Sequence, residues 1–180
     1  TASVNVAEHS TAVTTVTATD VDAGATQTYS ISGGADAAKF TINSSTGVLS
    51  FVSAPNFESP TDVGGNNVYD VQVQVSDGAL TDTQDIAVTV TNTNEAPVIT
   101  SNGGGATAAL NVAENTTAVT TVTSTDVDAG ATQTYSISGG ADAAKFTINS
   151  STGVLSFVSA PNFENPTDVG GNNIYDVIVQ

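Results

Sequence analysis

Along most of the chain, valine, threonine and isoleucine alternate with small or polar residues, the period-two pattern of strands with one buried face. Val71, Val73 and Val75 fall on one face of such a run, with Gln72 and Gln74 on the other. Ile86, Val88 and Val90 likewise oppose Ala87 and Thr89. These two runs predict neighbouring strands joined through the turn residues at 76–78. The segments SVNV, AVTTVTA, QTYSIS, KFTI and GVLSF add shorter strands, punctuated by Gly, Asn, Asp and Pro. Nothing in the chain follows a helical period. Tyr29, Phe40, Phe51 and Tyr69 are the expected aromatic core.

The pattern then repeats. Asn5 maps onto Asn111, an offset of 106 residues, and residues 5–74 and 111–180 differ at six positions: His9/Asn115, Ser10/Thr116, Ala18/Ser124, Ser59/Asn165, Val68/Ile174 and Gln72/Ile178. About seven short strands per copy is the count of an Ig-like Greek-key sandwich. The expected class is therefore all-β, as tandem sandwiches. Pro97 and Gly103, Gly104 and Gly105 mark the boundary, which places one repeat at 1–95 and the other at 96–180. A full second copy would run to about residue 201, so the second repeat is expected to be truncated, lacking its last strand. Its 174–180 segment would then carry unpaired backbone groups, and that copy should be less stable or completed by another chain.

Composition narrows the functions. Hydrophobic residues make up 39% of the chain and charged residues 11%, which places it outside the disordered class. The charge is almost all of one sign: 18 Asp and Glu against two Lys, a net charge of −16. Such a surface repels nucleic acid and anionic lipid, and bound cations would relieve its self-repulsion. There is no cysteine, hence no disulfide and no thiolate site. Neither a membrane-spanning apolar run nor a signal leader is expected.

Most of the acidic residues stand at strand ends and in turns. Glu8 ends the first strand, Asp20 and Asp22 lie in TDVDAG, Glu58 in NFE and Asp77 in SDG. Calcium takes six to eight oxygen ligands, so several loops must converge to hold it. In a sandwich, alternate loops collect at opposite ends, which divides these residues into two polar sets.

The motifs NVAE, TATDVDAG, YSISGG, FTINSSTGVLSF, NFE, VQVSDGA and VTVTNTNEAP resemble the cadherin repeat family, especially the cadherin-like repeats of large bacterial surface proteins, over the whole chain. The resemblance implies Ca2+ held where one repeat meets the next. Carried over position by position, it implies Glu8, Glu58, Asn92, Asn94 and Glu95 acting with Asp126 and Asp128. It also implies two half-sites: Asp20, Asp22 and Asp77 facing a preceding repeat, and Glu114 and Glu164 facing a following one. The chain departs from the family pattern at Asn56 and Asn92, where Asp is common, in a shortened NTNEAP linker, and in having no second-copy equivalent of Asp77. Fewer carboxylates imply fewer or weaker ions.

The implied role is a calcium-binding structural repeat pair of a secreted or bacterial cell-surface adhesin, whose partners are the adjacent repeats of its own chain. The alternative is calcium-dependent recognition of polysaccharide or of another copy; the absence of Trp weakens stacking on sugar. No enzyme is expected. The one histidine, His9, is replaced by Asn115 in the second copy and reads as a surface residue. Asp62, Gly64 and Asn66 in TDVGGNN offer a further ion-binding loop, against an ordinary surface turn. Lys39 and Lys145 occupy equivalent, solvated positions.

Overall fold

The structure is a computed structural model that describes residues 1–22 and 24–180; Ala23, within the TDVDAG motif, lies outside the described residues. The chain divides into two compact units, Thr1–Asn94 and Glu95–Gln180. Its fold is all-β and cadherin-like, and its only helical elements among the described residues are three short 3-10 turns.

Unit 1 contains seven strands: β1 (Ala2–Ala7), β2 (Ala12–Thr15), β3 (Thr28–Gly33), β4 (Phe40–Ile42), β5 (Val48–Phe51), β6 (Val68–Ser76) and β7 (Thr81–Thr91). They form a four-stranded sheet in the order β1-β7-β6-β3 and a three-stranded sheet in the order β2-β5-β4. The alternation read from the sequence sets the register. Val71 stands opposite Ile86 and Tyr69 opposite Val88 in the antiparallel β6–β7 pair, while β1 runs parallel to β7 with Val4 beside Val88 and Val6 beside Val90. Each of those pairs turns inward, so Tyr69, Val71, Val73, Ile86, Val88 and Val90 are buried against Phe40, Leu49 and Phe51 of the facing sheet. Phe40 and Phe51 stack at 4.6 Å, and Tyr69 meets Phe51 edge-on at 5.2 Å. Tyr29, expected in this core, is instead half-buried, with its hydroxyl 3.2 Å from the Gln27 side chain. It is the second residue of β3, paired with Val75 of β6.

A buried carboxylate pins the unit's irregular segments. Asp36 accepts the N–H groups of Val63 (2.8 Å) and Asp70 (2.9 Å), tying the 3-10 turn Ala37–Lys39 to a distant loop and to β6. The chain reaches this arrangement through Gly34 at φ 104°, where a Cβ would lie 2.5 Å from the Asp70 carbonyl oxygen.

Unit 2 comprises β8 (Val98–Ile99), β9 (Ala118–Thr121), β10 (Ser124–Thr125), β11 (Ile137–Gly139), β12 (Phe146–Ile148), β13 (Val154–Phe157) and β14 (Ile178–Val179). The three-stranded sheet, β12-β13-β9, reproduces that of unit 1, and the Phe146–Phe157 stack is again 4.6 Å. Asp142 repeats the role of Asp36, accepting N–H from Val169 and Asp176. The second sheet is reduced to the β11–β14 pair, and residues 107–113, which correspond to β1, contain no strand. Only Phe146, Leu155 and Phe157 are buried in its main cluster, with Tyr175, Val177 and Val179 partly covered.

Candidate metal centre

Glu8 and Glu58 lie at one end of unit 1, and Asp20, Asp22 and Asp77 at the other, as strand-end and turn positions do in a sandwich. At one end Glu8 follows directly on β1, and its side chain is only 3% exposed. Its oxygens accept N–H from Phe57 (2.8 Å) and from Thr93 (2.8 Å), joining three separate segments. Burial works against its charge, but those two N–H groups, then His9, hold it below the ordinary glutamate range, and the Glu58 carboxyl lies beside it. Both carboxylate oxygens of Glu58 are buried and have no hydrogen-bond donor. His9 Nε2 lies 3.7 Å from Glu8 Oε2, and the histidine side chain is 54% exposed. His9 has φ 59° and its counterpart Asn115 φ 61°, so this position selects residues that tolerate a left-handed backbone.

At the opposite end of unit 1, Asp20 and Asp77 line one cleft of about 160 Å³ together with Gln27, Leu80 and Asp82. Asp20 Oδ1 accepts the Asp22 N–H at 2.8 Å. Asp77 Oδ1 accepts N–H from Leu80 and Ala79, both at 2.7 Å, and those bonds lower its pKa.

In unit 2 the same local geometry recurs. Asp126 Oδ1 accepts the Asp128 N–H at 3.0 Å, and Asp128 Oδ2 accepts the N–H of Glu95 at 2.8 Å, which anchors the start of the unit to its own D-x-D loop. Asn92 and Asn94 lie at the end of unit 1, in the segment after β7. Glu114 keeps one of the two bonds made by Glu8, accepting the Phe163 N–H at 3.0 Å, but both Glu114 and Glu164 are exposed.

The TDVGGNN loop turns out to be self-contained. Asp62 is buried and its two oxygens accept N–H from Asn66 and Asn67, each at 3.0 Å. Burial opposes its charge and these donors outweigh it, lowering the pKa. Asp168 makes the same bonds to Asn172 and Asn173. Both carboxylates serve the fold of their loops, which favours the ordinary surface turn over the ion-binding reading of this motif. The role of Asp36 and Asp142 was not read from the sequence, because the N–H groups they accept lie tens of residues away; their only local signal is a small acidic residue between Gly-Gly and a strand.

With two buried carboxylates side by side at one end of unit 1, an oxygen-only donor set and no Lys or Arg in attendance, the residues present fit a hard divalent cation. A Cadherin domain family profile matches residues 2–91. The chain belongs to the cadherin domain family. Cadherin domains are extracellular adhesion modules, not enzymes, and in general bind Ca2+. Solved cadherin structures share the fold. Human protocadherin-24 EC1-2 aligns over 99% of this chain and 81% of its own at 20% identity, with a TM-score of 0.61. Drosophila N-cadherin EC1-4 aligns at 17% identity and a TM-score of 0.58, covering 89% of this chain and 39% of its own. Mouse cadherin-23 EC22-24 gives 22% identity and 0.53, covering 99% of this chain and 61% of its own. No curated protein matches the sequence. Among the described residues of this cadherin-like chain, no helix is long and apolar enough to cross a membrane, which says nothing of a β-barrel.

Proposed function

We propose that this cadherin-like pair is a structural segment of an extracellular adhesin of the bacterial surface type, in which Ca2+ stiffens the join between its repeats at about residue 95. The supporting observation is the Glu58 carboxylate, buried beside Glu8 without a donor. An anion taken out of water and left unpaired costs several kcal/mol, roughly, and the chain supplies no lysine or arginine there. Bound Ca2+ would supply the missing positive charge and an attraction for oxygen donors from several loops.

The chain's own residues do the rest. The Phe57 and Thr93 N–H groups orient Glu8, leaving further lone pairs on its carboxylate. Glu58 contributes its two unpartnered oxygens. Asn92, Asn94, Glu95, Asp126 and Asp128 complete the ligand set by family resemblance, with Asp20, Asp22 and Asp77, and Glu114 and Glu164, as outer half-sites. Two carboxylates about 4 Å apart repel by roughly 4 kcal/mol at an effective dielectric of 20, so the join loosens when the cation is withdrawn.

Calcium titration followed by small-angle scattering and thermal melting tests this. The expected result is a stiffer, longer particle and a gain of about 1.4 kcal/mol per site at tenfold excess over a dissociation constant on the order of 10⁻⁴–10⁻³ M. Glu58→Gln should lose most of that gain. Scattering and melting that ignore calcium would sink the reading.

A further inference from the structure

Phe57 is held through both of its backbone groups. Its N–H donates to Glu8 Oε2 at 2.8 Å, and its carbonyl accepts the side-chain amide of Asn67 at 2.8 Å. The next residue in the chain is Glu58, whose buried oxygens have no donor. Asn67 is itself fixed at the backbone: its N–H donates to Asp62 Oδ1 at 3.0 Å, and its carbonyl accepts the N–H of Val90, in β7, at 2.8 Å. Its φ of 62° is a left-handed value that Asn tolerates and most side chains resist. The TDVGGNN loop therefore ends in a side chain that bears on the segment carrying Glu58. Unit 2 repeats the connection, with Asn173 at φ 63° donating to the Phe163 carbonyl at 3.0 Å while Asp168 accepts its N–H.

We propose that Asn67 is a positioning residue for the cation at this end of unit 1, docking the Phe57–Glu58 segment beside Glu8 through the Phe57 carbonyl. The role rests on the cation-binding reading of Glu8 and Glu58 and adds the residue that sets where they stand. The turn that carries Glu58 shapes itself locally, because Asn56 Oδ1 accepts the Ser59 N–H at 2.7 Å. That bond fixes the form of the turn but not its place against β1 and β7. Two adjacent carboxylates repel, so an undocked turn would swing Glu58 away from Glu8 and into water. The Asn67 amide opposes this from behind the ligands, and loss of such outer contacts weakens metal affinity by about ten- to a hundredfold. Nothing shorter or of another charge does the same: Gly would accept the backbone angle but reach nothing, and Asp would set an oxygen against the Phe57 carbonyl.

The test uses the whole 180-residue chain and Asn67→Gly, which keeps the left-handed backbone and removes only the side chain. Calorimetric titration with calcium chloride should show the dissociation constant raised by about tenfold. In the calcium-free chain, exchange of the Phe57 amide should quicken by at least about tenfold relative to that of Thr93, whose N–H reaches the same Glu8 from another segment. Leu49→Ala, which loosens the core of unit 1 but removes no bond to Phe57, should leave calcium affinity unchanged. Equal affinity of Asn67→Gly and the wild type overturns the proposal, as does equal quickening of the Phe57 and Thr93 amides, which would mark a general loosening. So does a loss of affinity in Leu49→Ala as large as that in Asn67→Gly. Asn67 Oδ1 is also buried without a donor, and tighter calcium binding by Asn67→Asp would make the side chain a direct ligand and overturn the indirect role. A wild-type chain that ignores calcium sinks the ion-binding function and this role together; a wild type that binds while Asn67→Gly binds equally well sinks this role alone.

Discussion

Unit 1 and unit 2 are built from nearly the same sequence, and they differ most in what covers the inner face of one strand. Tyr69 is 1% exposed where Tyr175 is half-buried, and Phe57 packs on the core where its counterpart Phe163 is 64% exposed. The aromatic stack and the Asp36/Asp142 peg survive in both units, because their partners lie within the shared 70 residues. Other features differ: residues 108–113 form no strand where Ala2–Ala7 is β1, Val112 is only partly buried where Val6 is 6% exposed, and Glu114 keeps one of the two bonds of Glu8. Local motifs in a sandwich thus hold by themselves, while strand assignment at residues 107–113 depends on a neighbour far along the chain.

The largest test of this comparison is native-state hydrogen exchange. Amides of Val71 and Val88 should exchange at least about a hundredfold more slowly than those of Val177 and Val179; equal protection would break the contrast. Next, Leu49→Ala should cost unit 1 about 2–5 kcal/mol in denaturant unfolding, since Leu49 has no exposed surface. Leu155→Ala should cost less, because the half-open core of unit 2 can collapse or admit water; a larger loss there would mean that unit 2 is the better packed.

Asp62→Asn should destabilise unit 1 by about 1–3 kcal/mol by weakening the anion that organises its loop. Asp168→Asn should do less to the looser unit. The pH dependence has a definite sign. Asp62, Asp168 and Glu8 have folded pKa values lowered below their ordinary range, so the stability they contribute is complete above that range, near pH 4–5 roughly, and is lost as pH falls through the folded values. Acid melting should strike unit 1 on two of these groups and unit 2 on one. Smallest of all, His9→Asn should change stability by less than about 0.5 kcal/mol, since Asn115 already occupies the equivalent left-handed position.

Much of the fold was legible in the residues. Period-two alternation assigned β6 and β7 and their buried faces, and the 106-residue repeat revealed two like units. Those are local or self-comparing signals, which need no knowledge of which strands meet. The acidic turns were legible as a class for the same reason: Asp and Glu at strand ends must face solvent, a backbone donor or a cation. Which of the three each one meets was not. Asp62 stood open between a surface turn and an ion-binding loop, and its oxygens take the N–H groups of Asn66 and Asn67; Asp36 drew no notice and is a buried peg; Tyr29 belonged to the expected core and is half-buried. Glu8 and Glu58, 50 residues apart, have buried carboxyls side by side only because a strand end and a distant turn arrive at one pole of the sandwich. The sequence by itself determined β6, β7, their inward faces and the repeat, because these follow from side-chain alternation and self-comparison. Tertiary structure alone decided the partner of each carboxylate, because hydrogen-bond donors come from segments that no local pattern brings together.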